Sequence, residues 1–301
     1  MHVITIGNFD GVHLGHRALI DGARRAAGAG GRVTAVTFEP LPAAVLRPVE
    51  APSRLTTDAR RRELLLAAGC DEVRAIDPRD GVLAKEPGAF IEDLRAALPF
   101  DAIAEGPDFR FGAGRRGDLA VLRQLGAARG FRVAEVPELD AALSDGLLTA
   151  PRSTTIRWLL ELGRVEDAAR LLGRAHRLAG TVVRGDQRGR TLGFPTANVD
   201  VGGLQLPADG VYAAEAIVRG ERFPAAVSVG TKPTFGASAR TCEAHVVGAP
   251  LAIDDYGWTL ELDLVRWLRE QWRFPGPDAL VAQLRADVAH ATRAARAAAI
   301  A

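Results

Sequence analysis

Short apolar runs alternate with amphipathic stretches through the first half of the chain. Val3-Ile4-Thr5-Ile6, Val33 to Phe38, Glu72 to Ile76, Ala102-Ile103-Ala104 and Phe131 to Val136 read as strands. Between them lie helical patterns: Arg17 to Ala27, Asp58 to Ala67 behind a Thr57 cap, Pro87 to Leu98 and Leu119 to Arg129. In the third of these, Phe90, Ile91, Leu94 and Leu98 share one side. The βαβα order predicts a parallel sheet with helices on both faces. Two short helices between Leu159 and Leu172, broken at Gly163, close this half. Beyond Gly173 the period changes. Leu178 to Val183, Gly210 to Val218, Ala225 to Val229, Cys242 to Val247 and Thr259 to Val265 are β-like and separated by turns. They predict a small antiparallel barrel, followed by a helix from Asp278 to about Ala295 with Leu280, Val281, Leu284 and Val288 on one face. The expected fold class is therefore α/β, with domains at 1–173 and 174–301.

Composition narrows the partners. A length of 301 residues favours two domains. The formal net charge of +1 supplies no field that would draw nucleic acid or an acidic membrane surface. No apolar run approaches the roughly 18 residues of a membrane span. Met1-His2-Val3-Ile4 lacks a charged leader, and its apolar residues are needed for the first strand. Cys70 and Cys242 suggest neither a disulfide nor a metal pattern, so a reducing cytoplasm is the simplest expectation. Lys85 and Lys232 are the only lysines, and no Gly-x-x-x-x-Gly-Lys-Ser/Thr loop exists. Phosphate must therefore be held by arginine, helix N-termini, hydroxyls or a metal ion.

The first strand runs straight into Gly7-Asn8-Phe9-Asp10-Gly11-Val12-His13-Leu14-Gly15-His16. Glycines that let the backbone approach a ligand, then a helix start with free N–H groups, make a nucleotide-site geometry. His13 and His16 could stabilise charge growing on phosphate oxygens. Read alone, the pair could also be half a metal site, but no third ligand has sensible spacing. Two more stretches follow strands: Gly106-Pro107-Asp108-Phe109-Arg110-Phe111-Gly112, and Ser153-Thr154-Thr155-Ile156-Arg157 opening a helix. Each alone reads as an ordinary loop or N-cap; their common placement favours a ligand. Arg60-Arg61-Arg62 reads most simply as a solvated helix face.

In the second half, Gly189-Arg190-Thr191-Leu192-Gly193-Phe194-Pro195-Thr196-Ala197-Asn198 joins a mobile, glycine-flanked flap to two hard oxygen donors. In extended chain, Thr196 and Asn198 point to one side and can reach a single Mg²⁺ or its phosphates. Pro-Thr-Ala-Asn by itself is more often a turn, and Glu243 by itself a solvent-facing strand carboxylate.

The opening ten residues resemble the His-x-Gly-His signature of nucleotidyltransferases. With Phe38-Glu39-Pro40, Arg54-Leu55-Thr56-Thr57, the Asp108 loop and the Ser153 stretch, the first half is similar to the adenylyltransferase half of bacterial bifunctional riboflavin kinase/FMN adenylyltransferases. The Gly189–Asn198 string, Leu206 to Tyr212 and Val229 to Gly236 resemble that family's kinase half. The resemblance implies a Rossmann-like domain followed by a riboflavin kinase barrel, converting riboflavin to FMN and FMN to FAD with ATP and Mg²⁺. It implies that His13 and His16 act on ATP phosphates held also by Gly7, Asn8, Phe9, Asp10, Gly11, Ser153, Thr154 and Arg157. Asp108, Phe109 and Arg110 would line the flavin and nucleotide pockets. In the barrel it implies that Glu243 is the catalytic base, Gly189, Arg190 and Gly193 hold ATP, and Thr196 and Asn198 hold phosphate and metal. The chain departs from the family at Leu41, usually His, at Arg152, usually Ser, and around Gly248 to Gly257. An extra arginine beside phosphates would tighten ATP binding or slow pyrophosphate release. Two other readings stay open: a kinase with an inactive first domain, and a non-catalytic flavin or nucleotide sensor. A monomer or weak homo-oligomer is expected.

Overall fold

The computed structural model describes residues 1–185, 188–231, 240–249 and 255–298, in two compact units. The first comprises Met1–Ala141 with Leu148–Arg152, the second Ala142–Leu147 with Ser153–Ala301. The expected stretch Lys232 to Gly236 and the segment Pro250 to Asp254 lie outside the described residues.

In the first unit β1 (His2–Ile6), α1 (Leu14–Ala27), β2 (Arg32–Phe38), α2 (Pro42–Leu46), α3 (Asp58–Ala67), β3 (Glu72–Ile76), α4 (Pro87–Ala97), β4 (Ala102–Glu105), α5 (Leu119–Arg129) and β5 (Arg132–Glu135) follow in order. The strands form one parallel sheet in the order β3-β2-β1-β4-β5. Alternate residues of each strand serve opposite faces. Val3, Val33 and Ala35 pack with Ile20 and Ala23 of α1 and Leu65 of α3. Ile4 and Val36 pack with Ile91 and Leu94 of α4 and Leu122 of α5. Helices cover both faces, as the pattern predicts. Each such large aliphatic side chain contributes roughly 1.5–3 kcal/mol by leaving water. Helix α1 begins three residues before the sequence pattern suggests, because His13 caps it: its Nδ1 accepts the His16 N–H at 3.4 Å.

Next along the chain are β6 (Ala141–Ala142) and β7 (Leu148–Thr149); the second unit then continues with α6 (Ser153–Glu161) and α7 (Val165–Leu172), with Gly163 at φ 75° between them. Then β8 (His176–Val183), α8 (Arg188–Thr191), β9 (Ala197–Asp200), β10 (Gly210–Val218), β11 (Glu221–Thr231), β12 (Arg240–Val246) and β13 (Thr259–Arg269) precede α9 (Pro277–Ala298). The strands close an antiparallel barrel in the order β10-β11-β12-β9-β8-β13. Helix α9 packs on it through small residues. Ala291 and Ala294 meet Ala213, and Arg269 grips the buried Asp287 carboxylate at 2.7 Å. The larger residues expected to carry that face, Leu280, Val281, Leu284 and Val288, are half-buried. The Ser153 stretch follows β6 and β7 and groups with the second unit; it does not directly follow a strand of the parallel sheet.

Gly22 in α1 is a close-packing position: a Cβ there would come within 2.4 Å of the stiff Val136 side chain, itself buried. Exchanging glycine for alanine inside a helix ordinarily gains about 1 kcal/mol. Here overpacking opposes it, typically by about 1–3 kcal/mol. Gly22→Ala should therefore lower the denaturant midpoint of the first unit; a raised midpoint would refute the packing argument.

Candidate active sites

At the end of β1 the chain turns through two non-glycine residues in the left-handed region, Phe9 (φ 48°) and Val12 (φ 39°). Each such residue costs of order 1–3 kcal/mol and persists only where its surroundings demand it. The demand here is burial and polar satisfaction. Phe9 and Val12 are 0% and 1% exposed, so their side chains anchor the turn in the core. Asp10, also buried, accepts the main-chain N–H of Leu55 at 3.0 Å and of Thr56 at 3.2 Å. The Gly11 N–H donates to Thr56 Oγ1 at 3.3 Å. The Arg54-Leu55-Thr56-Thr57 stretch thus holds the opening loop from beneath. Phe9 and Asp10 are buried, Gly7 is half-buried and Asn8 is exposed.

Arg61 completes this support. The simplest sequence reading placed it on a solvated helix face, yet its side chain is 1% exposed. It donates to the Asn8 carbonyl at 3.0 Å, the Phe38 carbonyl at 3.1 Å, Glu39 at 2.7 Å and Asp58 at 2.6 Å. Only its neighbours follow the surface pattern in part: Arg60 pairs with Glu63, and Arg62 donates to the Val73 carbonyl. A run of three arginines cannot reveal that the middle one turns inward, because the carbonyls it meets come from the loop after β1 and from the end of β2.

The two histidines lie together. Their rings stack with centroids 3.6 Å apart, and the His16 ring meets the Phe9 ring edge-on at 5.1 Å. Among the described residues no group of three or more His, Cys, Asp or Glu is placed to hold a metal. The Asp108 loop leaves the neighbouring strand end. Phe109 stacks on Phe111 at 5.1 Å, while Asp108 and Arg110 are exposed. Arg152 pairs with Asp108 at 3.2 Å and with Glu138. Its charge is therefore answered by two carboxylates, which weakens the expectation of an added phosphate-binding cation. Leu41, the other departure, is buried at the start of α2. Ser153, Thr154 and Arg157 lie on α6, in the second unit.

In the barrel the register gathers the expected kinase residues. Glu243 of β12 pairs with Asn198 of β9 on one side and Ser228 of β11 on the other. The adjacent row, Val199, Cys242 and Val229, is buried, so Glu243 and Asn198 occupy the opposite face of the sheet. Thr196 Oγ1 lies 3.5 Å from Glu243 Oε2. Burial pushes the Cys242 thiol up to about 12, which leaves it an unreactive core residue beside the carboxylate. His245, two residues on, holds the approach to Thr196: its Nδ1 is 2.8 Å from the Pro195 carbonyl, to which it donates, and its ring meets Phe194 edge-on. The segment expected to be a flap forms the short α8, which carries Gly189 and Arg190, and a turn with Gly193 at φ 82°. Gly189 is fixed by contact, since a Cβ would come within 2.3 Å of the Phe194 carbonyl.

A parallel-sheet unit with a two-histidine turn, followed by a barrel aligning threonine, asparagine and glutamate, matches two catalytic family models in one chain: FAD synthetase over residues 1–145 and riboflavin kinase over residues 172–295. The bifunctional riboflavin kinase/FMN adenylyltransferase of Escherichia coli is 37% identical over 294 residues, covering 95% of this chain and 90% of its own length. Those of Pseudomonas fluorescens and Listeria monocytogenes are 35% and 34% identical, each spanning at least 95% of this chain and at least 90% of the relative. The chain belongs to the bifunctional riboflavin kinase/FMN adenylyltransferase family. A crystal structure of a Streptococcus pneumoniae protein named as a macrolide-efflux protein has the same fold, with a TM-score of 0.85 and 29% identity over 97% of this chain and 93% of that one. Among the described residues no helix is long and apolar enough to cross a membrane.

Removing a buried, charged hydrogen-bonding hub costs about 3 kcal/mol or more. Arg61→Met should destabilise the first unit by about that amount in urea unfolding, with Asn8 carbonyl, Phe38 carbonyl and Glu39 left without it. An unchanged midpoint would show that Arg61 is not the support described.

Proposed function

We propose that the barrel phosphorylates riboflavin to FMN and the sheet domain adenylylates FMN to FAD, each step using ATP. The observation that carries this is the match of two different catalytic families to two successive stretches of one chain. The assignment places adenylyl transfer in residues 1–173 and kinase chemistry in 174–301, in a cytoplasmic enzyme of small substrates, monomeric or weakly associated.

In the kinase step the ribityl hydroxyl attacks the γ-phosphorus of ATP, and ADP leaves. Glu243 takes or orients the hydroxyl proton. Gly189, Arg190 and Gly193 hold ATP, and Thr196 and Asn198 address its phosphates. These residues also fit Mg²⁺: a threonine hydroxyl 3.5 Å from a carboxylate, with an asparagine as that carboxylate's register partner, offers hard oxygen donors of the kind Mg²⁺ accepts alongside phosphates and water. When bound, the ion would neutralise charge on the transferring phosphoryl group.

In the adenylyl step the FMN phosphate attacks the α-phosphorus of ATP, and pyrophosphate leaves; no covalent enzyme intermediate is required. His13 and His16 donate to phosphate oxygens as charge develops. Asn8 and the main chain of Gly7, Phe9, Asp10 and Gly11 shape the cradle, and Ser153, Thr154 and Arg157 hold the phosphates. Asp108, Phe109 and Arg110 line the flavin side, with Phe109 already backed by Phe111.

Loss of one such charge-stabilising donor costs roughly 10²–10³ in rate. His16→Ala should lose that much FMN-to-FAD conversion and keep riboflavin-to-FMN conversion. Glu243→Ala should do the reverse. Mixed together, the two variants should make FAD from riboflavin and Mg-ATP, although neither does so alone. Loss of both activities in either variant would contradict the separate sites. Chelating divalent cations with excess EDTA should stop FMN formation, and restored Mg²⁺ should recover it; FMN formation undiminished by EDTA would exclude the metal.

A further inference from the structure

The ladder of the parallel sheet lapses at one seam. β1 pairs with β2 from His2–Arg32 through Ile6–Val36, and β4 with β5 from Ala102–Arg132 through Glu105–Glu135. Between β1 and β4 the paired residues are Val3–Ala102 and Ile4–Ile103, short of both strand ends. The order β3-β2-β1-β4-β5 makes this seam the point where the winding of the sheet reverses. Crevices at such points receive ligands.

What occupies the lapse is a side chain. The Gly7 N–H donates to the Val36 carbonyl at 3.0 Å, on the β2 side. Main-chain N–H groups alternate along a strand, so the Ile6 N–H faces β4. There it meets the Glu105 carboxyl: Ile6 donates to Oε1 at 2.6 Å, and the Thr5 hydroxyl reaches the same atom at 3.4 Å. Glu105 is 2% exposed. Burial raises its carboxyl well above the usual range against the pull of those two hydrogen bonds, and the negative charge of Asp108 adds to the rise. Its Oε1 thus stands where a main-chain carbonyl of β4 would otherwise accept.

We propose that Glu105 is a positioning residue for adenylyl transfer: by taking the Ile6 N–H in place of a β4 carbonyl, it holds β1 and β4 apart at their C-terminal ends. That spacing sets the distance between the two loops that leave those ends, Gly7-Asn8 and Gly106-Pro107-Asp108. The inference rests on the assignment of these loops to nucleotide and flavin. A residue of similar size without an acceptor would leave the buried Ile6 N–H unsatisfied or let the strands draw together to pair. Both outcomes move the loops, and displacements of about 1 Å can cost about 10²-fold in rate.

The test compares Glu105→Gln with Glu105→Met in the full chain, measuring steady-state FMN-to-FAD conversion. Gln keeps an acceptor oxygen and should hold the KM for FMN within about threefold of the unsubstituted protein. Met should raise that KM about tenfold or more, while riboflavin-to-FMN conversion continues at its original rate. A purely structural role would lower the amount of active enzyme and leave the KM for FMN alone. An unchanged KM in the Met variant, or a Gln variant raised as far as Met, overturns the proposal. If Met does not fold, the Gln variant decides: a KM within threefold supports positioning by the acceptor, and a larger rise refutes it. No FAD from FMN in the unsubstituted protein would instead overturn the site assignment.

Discussion

A loop that leaves a buried strand for a ligand must keep its polar groups satisfied without the water that would otherwise do so. The end of β1 meets that constraint from three directions. Asp10 reaches down to the Leu55 and Thr56 N–H groups, Arg61 reaches up to the Asn8 and Phe38 carbonyls, and Glu105 reaches across to the Ile6 N–H. All three side chains are buried, and each bonds at least one main-chain group of the strand ends or the loops beside them. Breaking any one leaves a desolvated partner behind, which is why the turn can sustain positive φ at Phe9 and Val12. The stacked His13 and His16 are presented by this frame. The phosphate role proposed for them would depend on residues that need never touch the phosphate.

The barrel solves a different problem. Two of the residues proposed for the kinase step, Asn198 and Glu243, sit on strands, so register rather than loop support brings them together. The pairing of Glu243 with Asn198 follows from the β9–β12 ladder, and a slip of one residue would turn Glu243 inward and Cys242 outward. The buried Val199, Cys242 and Val229 row resists that slip. Phosphoryl transfer asks mainly for positioning and charge neutralisation. In the reading proposed above, strand register supplies the first, and a Mg²⁺ held by oxygen donors would supply the second.

Much of the fold is legible in the chain itself. Alternating apolar runs and helical patterns locate every strand of the parallel sheet, and Thr57 marks the start of α3 as an N-cap. β9 is harder to see, since Ala197 to Asp200 is short and begins beside a proline. The kinase residues are visible as a motif, but their convergence is not, because it depends on which strands become neighbours. Arg61 and Glu105 are missed for the same reason: burial of a charged residue is decided by partners distant in sequence; the Arg60–Arg62 run reads as a solvated helix face, and Glu105 lies just past the expected fourth strand and draws no reading. His245 likewise has no local signal, since its partner, the Pro195 carbonyl, lies fifty positions earlier.

The most direct measurement is to incubate the purified protein with riboflavin and Mg-ATP and separate the flavins by chromatography over time. FMN should appear first and FAD follow from it, with pyrophosphate accumulating in step with FAD. FMN that accumulates without FAD would contradict an active site at the end of β1, and bound riboflavin with no consumption of ATP would contradict the account of both units.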